Sequence, residues 1–119
     1  CEDGVHVSRI HLVFNNLSGR IPFEISKLRT LRVLALQENN LGGTIPPGLG
    51  ELSELEQLSL YSNSIEGSIP EKIFDAGKLA ALHLDDNKLT GTLPKKIGNI
   101  TSLQSFIARV NGMTGTIPE

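Results

Sequence analysis

LRVLALQENNLGGTIP, at residues 31–46, contains the spacing that decides the fold. The leucine, asparagine, glycine and proline positions of this stretch return every 24 residues without a gap. Three columns follow that period: Asn15, Asn39, Asn63, Asn87 and Asn111; Gly19, Gly43, Gly67, Gly91 and Gly115; and Pro22, Pro46, Pro70, Pro94 and Pro118. Because three separate columns share one period, the chain consists of internal repeats, and the unit reads L-x-L-x-x-N-x-L-x-G-x-I-P-x-x-I-x-x-L-x-x-L-x-x.

A single unit is too short to bury its own apolar face, so successive units must stack and share one long core. The alternation in L-x-L predicts a short strand with its leucines directed inward. Equivalent strands of successive units then form a parallel sheet at a spacing of about 4.8 Å. The asparagine after each strand carries amide donors and an acceptor that can satisfy buried turn backbone. These features predict a solenoid, with one or two helical turns after each proline.

The unit resembles the plant-type extracellular leucine-rich repeat, whose pattern L-x-x-L-x-L-x-x-N-x-L-x-G-x-I-P residues 31–46 match at every fixed position. The resemblance extends from about residue 7 to residue 119. It implies an α/β repeat solenoid: a right-handed superhelix of about five 24-residue repeats, with a concave parallel β-sheet and a second short strand at the L-x-G-x-I-P step. It also implies an extracellular or cell-surface location reached by the secretory route.

The period sets the repeat boundaries within one predicted domain, residues 1–119. Repeats are expected at 10–33, 34–57, 58–81 and 82–105, followed by a partial repeat at 106–119. Residues 1–9 resemble the end of the family's N-terminal cap, which implies that Cys1 pairs with an upstream cysteine; the alternative is an incidental surface cysteine. The sequence does not decide how the third repeat packs, because Ala76 occupies the column of Leu28, Leu52 and Ile100. We expect a fragment of a longer solenoid.

Charge and spacing exclude several function classes. The formal net charge is −2 and lysine and arginine are not clustered, so a nucleic-acid partner is not expected. No apolar run approaches the roughly 20 residues that span a bilayer, so a membrane is expected only through segments missing from this chain. No metal or other cofactor is expected, since His11 and His83 are three repeats, or about 14 Å, apart. Ser59, His83 and Asp85 make a poor triad on an open face, so we expect no catalysis.

The outward side chains of the predicted sheet are the candidate ligand-binding residues. The period aligns Arg9, Val33, Gln57, Ala81 and Ser105; His11, Ala35, Ser59, His83 and Ile107; Val13, Gln37, Tyr61, Asp85 and Arg109; and, at the strand exit, Phe14, Glu38, Ser62, Asp86 and Val110. From these we predict a binding surface of Gln37, Gln57, Tyr61, His83, Asp85, Asp86 and Arg109. The alternative is a solvated face on which an Asp85–Arg109 pair contributes under about 1 kcal/mol.

Two further surface features accompany the repeat. The sequons Asn16-Leu17-Ser18 and Asn99-Ile100-Thr101 make Asn16 and Asn99 candidate glycosylation sites in surface turns. Thr44, Ser68, Thr92 and Thr116 form a column of outward hydroxyl groups that could meet an ordered surface such as ice. Arg20 interrupts this column at its start, and serine or threonine is also favoured at any half-exposed strand position.

The resemblance favours a non-catalytic recognition module, namely an ectodomain segment of a leucine-rich repeat receptor or receptor-like protein. Its expected partners are a protein, peptide or glycan-derived ligand and a co-receptor. The alternatives are a secreted inhibitor of a cell-wall hydrolase, similar to polygalacturonase inhibitors, and a structural adhesion or wall protein.

Overall fold

The structure is a computed structural model that describes residues 7–113, the side chain of Asn99 excepted. Cys1, Gly115, Thr116 and Pro118 lie outside the described residues. The cap assignment of Cys1 and the last part of the partial repeat therefore stay predictions.

Short parallel strands recur once or twice in every repeat. They are β1 (Arg9–His11), β2 (Ser18–Arg20), β3 (Val33–Ala35), β4 (Asn40–Gly42), β5 (Gln57–Ser59), β6 (Glu66–Gly67), β7 (Ala81–His83), β8 (Lys88–Leu89) and β9 (Ser105–Ile107). The odd-numbered strands form one five-stranded sheet in chain order, and each residue pairs with the residue 24 positions later. This sheet confirms the predicted solenoid.

The leucines of the L-x-L segments form the inner face of the sheet. Leu34, Leu58 and Leu82 are fully buried and belong to one core cluster that continues from repeat to repeat. At the two edges, Ile10 and Phe106 are only half-buried. A middle strand has a neighbour on each side, whereas an edge strand has one, so burial in this fold depends on the adjacent repeats.

Two smaller parallel pairs confirm the second strand that the family resemblance implies. β2 pairs with β4, and β6 pairs with β8, each with an offset of 22 residues rather than 24. Gly67 approaches the preceding repeat closely, because a Cβ on Gly67 would lie 3.0 Å from the Thr44 methyl carbon. Gly67 also has a φ of +81°. Backbone conformation and close approach therefore both favour glycine in this column.

Four return segments close the repeats, and each is a 3-10 helix rather than an α-helix. They are Phe23–Lys27, Pro47–Glu51, Glu71–Asp75 and Lys95–Asn99. Each begins directly after a proline, whose fixed φ suits the first helical turn. Neighbouring return segments pack closely at Gly50, where a Cβ would overlap with the carbonyl oxygen of Lys72.

The third repeat compensates for the small side chain of Ala76. Both Ala76 and Phe74 are buried in the core cluster. The other repeats have small residues at the position equivalent to Phe74, namely Ser26, Gly50 and Gly98. The third repeat therefore has a large buried apolar side chain two residues before its small Ala76.

Candidate binding surface

The outer face of the five-stranded sheet has the predicted columns in register. Arg9, Val33, Gln57, Ala81 and Ser105 are successive partners, as are His11, Ala35, Ser59, His83 and Ile107. Not all of these positions are accessible: Val33, Ala35 and Ser59 are 6%, 2% and 2% exposed. Their short side chains lie among longer ones in the same sheet. These buried central positions separate the exposed Arg9 and His11 on β1 from a second group of accessible polar side chains at β5 and beyond.

Five predicted residues are grouped at this end, and we call them the outer-face patch: Tyr61, His83, Asp85, Asp86 and Arg109. Tyr61, Asp85 and Arg109 follow β5, β7 and β9 at equivalent positions, one per repeat. Their carbonyl oxygens accept hydrogen bonds from the preceding repeat, at 2.9 Å from Glu38 N, 3.0 Å from Ser62 N and 2.8 Å from Asp86 N. The backbone ladder thus continues past the strands and holds these side chains on adjacent repeats.

His83 is held from the side by the next strand. Its Nε2 lies 2.9 Å from Ser105 Oγ, and the histidine is half-buried. Ser59, its register partner in β5, is buried. The hydrogen bond to Ser105 therefore fixes the orientation of the imidazole ring on the outer face.

Sequence reasoning missed the backbone conformation at the strand exit. Phe14, Glu38, Ser62, Asp86 and Val110 all have φ between +55° and +59°. This left-handed region is uncommon for non-glycine residues and strained for a β-branched one such as Val110. The conformation turns the chain sharply and places Asp86 beside Ser62, whose Oγ donates to Asp86 Oδ2 at 3.1 Å. The column varies from phenylalanine to valine, so no residue preference revealed it.

The charged groups of the patch do not pair with each other. Ion pairs within residues 7–113 join Arg29 and Lys72 to Glu51, Arg32 to Glu56, Lys78 to Glu54 and Lys96 to Asp75. The partner carboxylates raise the pKa of Arg32 and of Lys96, while Lys78 lowers the pKa of Glu54. No ion pair within 4.0 Å joins Asp85 to Arg109 in this part of the chain. Both charges thus remain available to a ligand.

Gln57 lies on β5, and Gln37 lies two residues after β3, one repeat before Tyr61. Gln57 is exposed. Gln37 is half-buried, and its Oε1 atom is buried without a hydrogen-bond partner among the described residues. Because protein atoms cover this oxygen, it offers no accessible acceptor to a ligand.

The asparagine column connects neighbouring repeats beneath the surface. Asn63 Oδ1 accepts from Leu41 N at 3.0 Å, and its Nδ2 donates to the carbonyls of Leu36 and Leu60 at 3.1 and 3.0 Å. The same arrangement recurs at Asn39, Asn87 and Asn111. Asn15 differs: it is exposed, and its Nδ2 donates to Val13 O at 3.2 Å. Among the described residues, the Asn15 side chain makes no hydrogen bond to another repeat.

The other predicted surface residues have separate locations. Asn16 is exposed in the first repeat, and Asn99 ends a 3-10 helix, with its side chain outside the description. Thr44, Ser68 and Thr92 are exposed in successive repeats. Over residues 7–113, no group of three or more His, Cys, Asp or Glu side chains could hold a metal ion. In the same part of the chain, no helix has the length and hydropathy needed to cross a membrane.

The repeats, the parallel sheet and the asparagine ladder agree with the protein family that the sequence matches. The model of the leucine rich repeat matches residues 29–89, more than half of the chain. The chain belongs to the leucine-rich repeat family. Curated proteins provide no match to this leucine-rich repeat chain.

Solved leucine-rich repeat structures from plants are similar along most of the chain. The plant peptide hormone receptor RGFR1 in complex with RGF2 is 42% identical with a TM-score of 0.85, over 87% of this chain and 16% of that one. The BIR3–SERK2 complex from Arabidopsis thaliana is 36% identical with a TM-score of 0.87, over 92% and 58%. A plant ice-binding protein is 38% identical with a TM-score of 0.81, over 87% and 33%. The chain therefore spans less than two thirds of each, and its resemblance to plant receptor ectodomains is confirmed.

Proposed function

We propose that this chain is a non-catalytic, peptide-recognising segment of an extracellular leucine-rich repeat receptor, and that the outer-face patch is where the peptide binds. The observation that carries the proposal is the uneven outer face of a regular sheet. Small buried side chains occupy β3. They separate the exposed Arg9 and His11 of the edge strand β1 from the larger group of polar and titratable side chains in the repeats from β5 onward. A similar receptor is known in complex with a peptide hormone, which supports a peptide as the ligand class.

The chemistry of the patch suits a short charged peptide. Tyr61 offers an aromatic surface with a hydroxyl group, and Arg109 offers a forked donor, two residue types that often dominate interfaces. Asp85 and Arg109 can bind opposite charges on the peptide because they are not paired with each other. The backbone ladder fixes all three positions in advance, so binding does not require a loop to become ordered.

Location and partners follow from the same proposal. A receptor of this kind reaches the cell surface by the secretory route, and segments outside this chain would connect it to the membrane. A co-receptor would be a second protein partner, which the similarity to the BIR3–SERK2 complex supports.

Selection of binders from a displayed library of random peptides tests the proposal directly. The immobilised chain should select peptides, and hydrogen–deuterium exchange should then show protection at residues 61, 83–86 and 105–109. Scrambled versions of the selected peptides serve as controls. Protection confined to the 3-10 helices, or failure to select any peptide, would contradict the proposed site.

A second candidate function is binding to ice, which one observation favours. Thr44, Ser68 and Thr92 form an exposed hydroxyl column, and the chain is 38% identical to a plant ice-binding protein. Inhibition of ice recrystallisation by the chain, abolished by Ser68→Lys and retained in Lys95→Ala, would support this function. Equal behaviour of the chain and an inert protein of the same size would exclude it.

A further inference from the structure

The first repeat has a backbone conformation that the later repeats lack. Asn16 has a φ of +55°, two residues after Phe14 at +57°. Within the described chain, the equivalent positions Asn40, Ser64, Lys88 and Gly112 do not have positive φ. Asn39 fixes this turn, because its Oδ1 accepts hydrogen bonds from both Asn15 N and Leu17 N at 2.9 Å.

The turn brings an aromatic ring and a sequon asparagine to one groove. Phe14 is 80% exposed, and it lines a groove of about 510 Å³ together with Asn16, Glu38, Asn40 and Ser62. An exposed aromatic face beside amide, carboxylate and hydroxyl groups suits a sugar. The C–H bonds of a pyranose can stack on the electron-rich ring face, while its hydroxyl groups form hydrogen bonds.

The Asn16 side chain leaves its amide nitrogen available for attachment of that sugar. Its Oδ1 accepts a hydrogen bond from Asn40 Nδ2. Within residues 7–113, Nδ2, the atom that carries an N-linked glycan, makes no hydrogen bond of its own. Asn16-Leu17-Ser18 is a sequon, and Asn16 and Ser18 are both exposed.

We propose that Asn16 carries an N-linked glycan whose first N-acetylglucosamine stacks on Phe14. The inference rests on the secretory route in the proposed function. In the transfer step, Asn16 Nδ2 forms a bond to the anomeric carbon of a polyprenyl-diphosphate-linked oligosaccharide. The bond from that carbon to the phosphate oxygen breaks, the lipid diphosphate leaves with the electron pair, and the amide gives up one proton to the solvent. No oxidation or reduction occurs.

Melting temperatures of variants with and without the sugar test the role of Phe14. The chain is secreted from a eukaryotic host behind an added signal sequence, and mass spectrometry of peptides measures occupancy at Asn16 and Asn99. Trimming then leaves one N-acetylglucosamine at each occupied site. All variants carry Asn99→Gln, so that only Asn16 can hold a sugar. The chain with the Asn16 sugar should melt about 3 °C higher than the same chain with Asn16→Gln, which has none. Phe14→Ala should abolish this difference.

Phe23→Ala is the matched control, because Phe23 is also exposed, at 71%, but lies outside the groove. It should leave both occupancy and the increase unchanged. An unoccupied Asn16, or an increase that survives Phe14→Ala, would overturn the inference.

The sugar in the groove could be attached to Asn16 or could be a free ligand. Titration of the Asn16→Gln chain with free N-acetylglucosamine distinguishes these two sources. Phe14-dependent binding of the free sugar, with Asn16 unoccupied in the secreted chain, would assign the groove to a free glycan and overturn the attached one. Peptide binding should be unchanged in Asn16→Gln, since the groove lies outside the outer-face patch. Failure of the glycan inference therefore leaves the peptide proposal standing, and failure to select peptides leaves the glycan inference standing.

Discussion

The inner and outer faces of the five-stranded sheet share one backbone but differ in how much their side chains vary. On the inner face, the central strands repeat one residue type, with Leu34, Leu58 and Leu82 fully buried. On the outer face, the column that follows the strands changes from Tyr61 to Asp85 to Arg109, and none of these side chains is buried. Stacking imposes repetition where one repeat packs on the next. Variation is tolerated where a side chain meets solvent or a ligand, so the two faces separate stability from recognition.

The largest expected difference between the faces is in the free energy of unfolding. Leu58→Ala should lower it by about 4 kcal/mol, because it opens a cavity in the middle of the core. Gln57→Ala, one residue away on the exposed face of the same strand, should change it by less than about 0.5 kcal/mol. Urea unfolding of both variants measures the difference, and similar losses would show that the faces are not energetically distinct.

The asparagine column extends the comparison to the repeat edges. Asn63→Leu should cost about 3 kcal/mol, because it removes hydrogen bonds to turn backbone on both sides. Asn15→Leu should cost less than about 0.5 kcal/mol, since Asn15 is exposed and makes no such link within residues 7–113. The same urea experiment applies. An Asn63→Leu variant as stable as the parent would show that the column does not hold the turns.

A smaller effect is expected where the second strands approach each other. Gly43 has a φ of +70°, and a Cβ there would lie 3.0 Å from Arg20 Cβ. Gly43→Ala should therefore cost about 1.5 kcal/mol. The adjacent Gly42, with no atom closer than 3.9 Å to a Cβ, is the control. Thermal unfolding compares the two, and equal melting temperatures would contradict the conformational explanation.

The smallest effect is expected from an exposed ion pair. Lys78 Nζ donates to Glu54 Oε2 at 2.6 Å and lowers the pKa of Glu54 below its ordinary value of 4.5. A lowered folded pKa means that the stabilisation is complete above the unfolded pKa and is lost as the pH falls through the folded one. The melting temperature should therefore exceed that of Glu54→Gln slightly at neutral pH and match it in acid. An identical difference at both pH values would contradict the ion-pair explanation, and Glu24→Gln is the exposed control.

The repeat period predicted the inner face and the strand register, because burial recurs with the spacing of Leu34, Leu58 and Leu82. It did not predict the left-handed strand exits, since side chains as different as Phe14 and Val110 occupy that position. The burial of Ala35 was also missed. Burial on an outer face depends on the reach of neighbouring side chains, which a periodic pattern does not contain. The same limit applies to the His83–Ser105 hydrogen bond, which joins residues 22 apart rather than 24.

Binding and stability measured in the same variants test most directly whether recognition belongs to the outer face. With a peptide selected against the chain, calorimetric titration should show that Tyr61→Ala and Arg109→Ala each weaken binding by more than about 1 kcal/mol. Their unfolding should be nearly unchanged, since neither side chain belongs to the core cluster. Lys95→Ala, at an exposed position of a 3-10 helix, should bind like the parent. Full affinity in both outer-face variants, or a loss confined to Lys95→Ala, would contradict this account.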